Sequence, residues 1–317
     1  MPARGDLILP ALVFGILAAT PMAAVFTTES YVLSLVARVM IFAIAALALD
    51  LIVGYGALVS FGHAAFIGLG AYAAGILSAH GIADALISLP AGLAASALFA
   101  FATGLVCLRT HGVYFIMITL AFGQMAYFTA SSLAPYGGDD GLTIAARNTI
   151  AGFAVLKNDR VFYYAVFACL LGTYLLCRAL VASRFGRVLR GAKENPTRMA
   201  ALGYDVYRFR LVAYTISGTL AGLSGVLLAN ATEFVSPAYM SWQRSGELII
   251  MVLLGGLGTL HGAIIGTATY LLLEVRLARI TEHWKMIFGP FLVLVVLFAR
   301  GGLLGVADRI ARGLRRV

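Results

Sequence analysis

Nine stretches of this chain are apolar over roughly the length of a bilayer crossing, and that feature constrains the fold more than any other. They run Leu7–Phe26, Val32–Val53, Ala57–Leu77, Leu86–Leu108, Val113–Leu133, Val161–Leu180, Leu211–Asn230, Leu248–Leu273 and Met286–Phe298. Between them the 317 residues are 61% hydrophobic and only 12% charged, with a mean hydropathy of +0.94. A water-soluble domain carries about twice that share of charge, so the solvent of this chain is lipid. The expectation is an all-α integral membrane protein, a polytopic bundle of about 8–10 transmembrane segments in one domain over residues 1–317.

Charge sets the orientation. The segment Arg184–Arg210 carries Arg184, Arg187, Arg190, Lys193, Arg198, Arg208 and Arg210 against Glu194 and Asp205, and the tail carries Arg300, Arg309, Arg312, Arg315 and Arg316 against Asp308. Both read as cytoplasmic by the positive-inside rule. Pro135–Arg160 balances its charges and reads as external. Met1–Asp6 precedes an apolar run with no small-residue cleavage site and reads as the start of a retained helix, so both termini are placed in the cytoplasm. The net charge of +9 lies beside hydrophobic segments with no recognition motif, which argues for a membrane surface and against nucleic acid. Cys107, Cys169 and Cys177 form no CxxC pair and read as packing thiols, and no metal-ligand set is found.

Parity then constrains Leu248–Leu273. If Leu211–Asn230 runs outward and the last stretch returns to a cytoplasmic tail, this segment must enter and come back. Gly255-Gly256-Leu257-Gly258-Thr259-Leu260-His261-Gly262 supplies the break. A second glycine-rich stretch lies at Gly54–Gly75. Glycine-interrupted segments in both halves point to a substrate path near the membrane centre and to a possible internal duplication. The candidates for lining that path are Ser60, Gly62, His63, Gly258 and His261 at the breaks, Asp50 in the second stretch, and Thr119 and Gln124 in the fifth. Asp50 either faces a cavity or a partner, with Arg109 available as an ion pair, or sits wet at the cytoplasmic end. His63 and His261 either line the path or satisfy a broken helix end. The spacing Gly218–Gly222 and Gly258–Gly262–Gly266 suits close helix packing. Gly222-Leu223-Ser224-Gly225 resembles the serine motif of intramembrane proteases, with His261 as a distant base, but packing is the preferred reading.

No phosphate-binding G-x-x-x-x-G-K-[ST] loop occurs, so any ATP is held by a partner. Arg187–Leu202 reads as a short helix interrupted at Pro196 and ended by Gly203. It is either a basic surface helix that sets topology or a docking element for a cytoplasmic partner.

The run Gly54-Tyr55-Gly56-Ala57-Leu58-Val59-Ser60-Phe61-Gly62-His63-Ala64-Ala65-Phe66, then Gly68-Leu69-Gly70-Ala71-Tyr72, resembles the signature of the larger, M-type permeases of branched-chain amino acid ABC transporters. Further matches are Gly112-Val113-Tyr114-Phe115, Thr119-Leu120-Ala121-Phe122, Gly137-Gly138-Asp139-Asp140-Gly141-Leu142, Arg190-Gly191-Ala192-Lys193-Glu194-Asn195 and Ala200-Ala201-Leu202-Gly203. The family's arginine-proline-x-glycine-leucine is here Arg300-Gly301-Gly302-Leu303-Leu304, without the proline. The resemblance implies a non-catalytic permease subunit of an ATP-driven importer in a bacterial inner membrane. Its partners would be a shorter related permease, two cytoplasmic ATP-binding subunits that hold ATP and Mg, and an external solute-binding protein. It also implies a coupling role for Arg190, Glu194, Asn195, Arg198, Ala201 and Gly203. The implied substrates are branched-chain amino acids, with urea, short amides or other small solutes as alternatives. An ion-coupled secondary transporter is the rival class; Asp50 is its one clear coupling carboxylate, and it has no use for a docking loop.

Overall fold

The computed structural model describes residues 5–24, 29–144, 146–281, 283–298, 301–303 and 305. Among them run twelve α-helices: α1 (Gly5–Ala24), α2 (Glu29–Gly56), α3 (His63–Ala79), α4 (Ala85–Cys107), α5 (Val113–Ser132), α6 (Asp159–Ala182), α7 (Arg184–Glu194), α8 (Pro196–Ala201), α9 (Val206–Thr232), α10 (Trp242–Gly255), α11 (Leu260–Ala278) and α12 (Trp284–Phe298). Five of them, α2, α4, α5, α6 and α9, are each long and apolar enough to cross a bilayer, and α10 and α11 form an apolar pair bent by 116° at a short break. The chain is thus an all-α, multi-pass membrane bundle. The tail arginines from Arg300 on and the first four residues lie outside the described residues.

The centre of the bundle is α2. It is apolar on every face, and a helix with no polar stripe is stable only when surrounded. From Met40 to Ile52 none of its residues is more than 5% exposed. Against it pack α6, α9, α10 and α11, while α3 and α4 close on the other side of α9. The outward faces of α4, α5 and α6 carry exposed Leu98, Phe101, Met117, Phe128, Leu175 and Leu176, a surface suited to lipid. Association of helices in lipid depends on close packing rather than water exclusion, so small residues mark the contacts. A methyl group at Gly222 would strike Ser96 of α4, one at Gly218 would strike Ala100, and one at Gly70 of α3 would strike the backbone of Gly222. The four-residue spacing in α9 is a packing device, as the sequence suggested.

The two ends of the bundle differ. One is gathered by a two-stranded antiparallel clasp, β1 (Leu142–Thr143) and β2 (Phe234–Val235), with Leu142 opposite Val235. There Arg147 bonds Asp159 at 2.7 Å, approaches Glu233 at 3.7 Å and lies 4.8 Å from the Phe162 ring centroid. Asn148 is 2% exposed; its amide N–H donates to Asn230 Oδ1 and its side chain donates to Ser88. This connection between α5 and α6 is a folded cap rather than a loose loop. The other end holds α7, α8 and both glycine breaks. The 24 residues of α6 span about 36 Å and separate the Pro135–Arg160 segment from Arg184–Arg210.

Candidate functional site: two glycine breaks and the basic loop

The first break follows α2. Its last turn closes with Ala57 N donating to Val53 O and Leu58 N to Ile52 O, and the helical direction resumes only at His63. The third apolar stretch, expected as one segment from Ala57 to Leu77, is therefore non-helical up to Gly62. Broken helix ends expose backbone donors that lipid cannot satisfy, and side chains from other helices take them. Thr119 Oγ1 of α5 accepts from Phe61 N (3.2 Å), Ser60 Oγ accepts from Gly62 N (3.3 Å), and Ser245 Oγ of α10 accepts from Ala64 N (3.0 Å). Ser60, His63 and Thr119 are all 1% exposed or less. Gly62 lies against the Thr119 carbonyl, which an added Cβ would approach to 2.5 Å.

His63 contacts Ser217 Oγ of α9 at 2.8 Å through Nε2, while the Ser217 hydroxyl donates to Ala48 O of α2. A hydroxyl has one proton, so His63 Nε2 must be the donor toward Ser217. This is the reverse of a base activating a serine. Ser224, the serine of the protease-like motif, donates back to Ala221 O at 2.7 Å. His261 lies half-buried in the first turn of α11, and Gln124 lies half-buried on α5.

The second break joins α10 to α11 through residues 256–259. Gly256 and Gly258 both have positive φ, +114° and +73°, which bends the chain where an L side chain would be strained. Asp50 is fully buried on α2, and its Oδ1 accepts from Gly258 N at 2.8 Å. The partner of this intramembrane carboxylate is thus a broken-helix amide. Arg109, considered from sequence, lies exposed. Gly54, one turn after Asp50, faces Gly258 so closely that a Cβ would lie 2.5 Å from the Gly258 nitrogen. Gly302 closes over the same break, where a Cβ would lie 2.5 Å from Gly256 N. The two breaks are therefore neighbours in space: Gly54 touches the second, and Ser245 of α10 caps the first.

Beside them lies the basic loop. Ser183 Oγ caps α7 at Gly186 N, and Asn195 Oδ1 caps α8 by accepting from Arg198 N at 2.9 Å. Gly203 ends the loop at φ +85°. Val188, Leu189 and Ala192 bury one face of α7, with Leu189 beside Gly56, where an added Cβ would lie 3.5 Å from the leucine side chain. Three cations serve as helix C-caps, since the last turn of a helix leaves carbonyls without partners. Arg190 donates to Val181 O at the end of α6 (3.1 Å), Lys193 to Gly54 O at the end of α2 (2.7 Å), and Arg210 to Ala192 O at the end of α7 (3.1 Å). Sequence reasoning singled out Arg190 but passed over Lys193 as a site residue, because its carbonyl partner is 139 positions away. By contrast α8 buries nothing: Arg198, Ala200 and Ala201 are exposed, as is Glu194, and so are Leu202 (65%) and Tyr204 (43%).

A separate groove of about 490 Å³ opens between α3, α4 and α5, lined by Leu69, Tyr72, Phe99, Met125 and Met240 among others, and by none of the candidates for the path.

Long apolar helices, a sharply bent helix pair and polar side chains turned onto broken helix ends define a multi-pass α-helical membrane protein with its irregular backbone kept inside the bundle. The chain belongs to the branched-chain amino acid transport system permease component family, whose model matches residues 31–297. It is similar to the high-affinity branched-chain amino acid transport system permease protein LivM of Escherichia coli strain K12, at 28% identity over 84% of this chain and 68% of LivM. The probable branched-chain amino acid transport permease protein LivH of Methanocaldococcus jannaschii is 33% identical over 45% of this chain and 47% of its own. The autoinducer 2 import system permease protein LsrC of an Enterobacter strain is 27% identical over 70% of this chain and 68% of its own. No solved structure matches.

Proposed function

We propose that this chain is the M-type permease subunit of an ATP-driven importer of branched-chain amino acids, seated in a bacterial inner membrane with both termini and the α7–α8 loop in the cytoplasm. It pairs with a shorter, LivH-like permease and receives solute from an external binding protein. Two cytoplasmic subunits bind ATP and Mg, and this chain contributes no catalytic residue. The observation that carries the reading is α8. A loop needed only for topology requires its positive charge and little else. Here α7 is fastened to the bundle while α8 and the residues after it leave an apolar surface exposed, Ala200, Ala201, Leu202 and Tyr204, with Glu194 and Arg198 exposed just before it. Such a face is suited to a groove on a soluble partner.

In this reading closure of the ATP-binding subunits displaces α8, and the bundle exchanges between discrete packings that open outward or inward. The path passes the breaks, bordered by Ser60, Gly62, His63, Thr119, Gly258 and His261, with Asp50 and Gln124 beside it. Similarity to LsrC supports a second substrate reading, the solute of an autoinducer 2 import system.

Uptake into proteoliposomes tests the proposal. The complete complex should accumulate leucine, isoleucine or valine only with internal ATP and the external binding protein. Accumulation that follows an imposed ion gradient without ATP would replace it with secondary transport.

A further inference from the structure

We propose that Lys193 is the positioning residue that transmits movement of the coupling loop to the α10–α11 glycine break; this rests on the importer reading above and names a part of its machinery. Lys193 sits in the last turn of α7, next to α8, and its Nζ holds the Gly54 carbonyl at 2.7 Å. That carbonyl belongs to the last turn of α2, where no intrahelical N–H is available to it. A charge-assisted bond to such a carbonyl is a firm attachment. The second break packs on the same turn. Gly54 has no side chain because the Gly258 backbone fills the place where one would be, and Asp50 holds Gly258 N at 2.8 Å.

The last turn of α2 is therefore gripped from two directions, by the loop cation and by the break amide. Leu189, buried on α7 beside Gly56, adds packing to the loop side of this grip. The other cations near the loop do not make the same link. Arg190 caps the end of α6, which leads into α7, and Arg210 caps α7 itself, whereas Lys193 crosses to α2. The break is an irregular joint in the bundle, its backbone turned by positive-φ glycines between two helices set at 116°. A pull on α7 thus has a short path to it: Lys193, Gly54, Gly258.

The test uses the complete importer with its binding protein, reconstituted as wild type, Lys193→Met and Lys193→Arg. Methionine keeps the apolar stem and removes the cation. Lys193→Met is expected to retain its ATP-binding subunits and basal ATP hydrolysis while solute moved per ATP falls about tenfold or more, with Lys193→Arg recovering most of it. A cap with a merely structural role would change the amount of complex and leave that ratio alone. A wild-type ratio in assembled Lys193→Met overturns the proposal. Absence of ATP-dependent uptake in the wild type overturns the importer reading and this role with it, so the two failures are distinct. A second measurement keeps Lys193 in place. Spin labels at Arg187→Cys and Leu257→Cys, with the native cysteines replaced, should keep one separation in nucleotide-free and vanadate-trapped complexes. A change beyond one helical turn, about 5 Å, would show that loop and break move apart and would overturn the link.

Discussion

Replacing Gly258 in turn by asparagine, alanine and valine asks whether the second break needs glycine for its backbone or for its lack of bulk. The two causes give different orders of damage. Gly258 has φ +73°, and an alanine methyl there would lie 3.4 Å from the Gly54 carbonyl oxygen, an ordinary contact. The hydrogen bond from its amide to Asp50 survives any of the three substitutions. What remains is conformational strain. A left-handed backbone costs an L residue about 1–2 kcal/mol, less for asparagine, and about 2–3 kcal/mol is expected for β-branched valine. At about 1.4 kcal/mol per tenfold, valine should shift the folding equilibrium by on the order of a hundredfold, alanine by about tenfold and asparagine by less. Reversible unfolding of the purified chain by sodium dodecyl sulfate in mixed micelles reads these differences, and proteoliposome uptake should follow the same order. Asparagine and valine have comparable bulk. If asparagine proved as damaging as valine, available space would be the reason for the glycine, and the argument from φ would be wrong.

Ala201→Trp leaves the fold of this chain untouched, because Ala201 is exposed; it should overpack the partner groove by about 1–3 kcal/mol and weaken retention of the ATP-binding subunits roughly five- to hundredfold in co-purification. Normal retention would return the loop to a topology signal. Asp50→Leu strands the half-buried Gly258 amide and should destabilise the chain by about 1–3 kcal/mol in the same unfolding assay, while Asp50→Asn keeps an acceptor and should be milder. Equal stability of wild type and leucine variant would show that this bond does not hold the break. Single cysteines at Lys157 and Arg198, in a background without the native three, should label from opposite membrane faces, whereas Asn148→Cys should resist labelling because that position is buried in the cap. Labelling of Lys157→Cys and Arg198→Cys from one face would refute the orientation.

The helices were legible because a bilayer imposes a length on every apolar run, and the break between α10 and α11 was legible from parity and from the glycines at 255–262. The loop helix was legible too, down to its interruption at Pro196, because proline and glycine act locally. Contacts across the sequence were hidden. Nothing near Asp50 signals that its partner is a backbone amide 208 positions on, since amides carry no sequence identity. Lys193 was counted among the positive-inside residues for the same reason: its acceptor is a carbonyl, present in every residue. Asn148 looked like an ordinary external-loop residue, and only the folded cap shows it bridging Asn230 and Ser88. The start of α3 at His63 rather than Ala57 reflects a competition that hydropathy does not measure, because an apolar run stays apolar whether or not its backbone is helical.

The clasp at the Pro135–Arg160 end and the cations at the other restrain the bundle in different ways. Strand pairing, a buried asparagine and the Arg147 cluster fix neighbouring elements to one another over short distances, so displacing one element breaks several bonds together. The opposite end is tied by the packed face of α7 and by lysine and arginine side chains that reach carbonyls at the ends of other helices. A rod bundle held rigidly at one end and by tethers at the other behaves as a cantilever. In the importer proposed above, its stiffness would be set at the fixed rim, its travel would be greatest at the tethered face, and a small force applied there would do work that the same force at the rim could not.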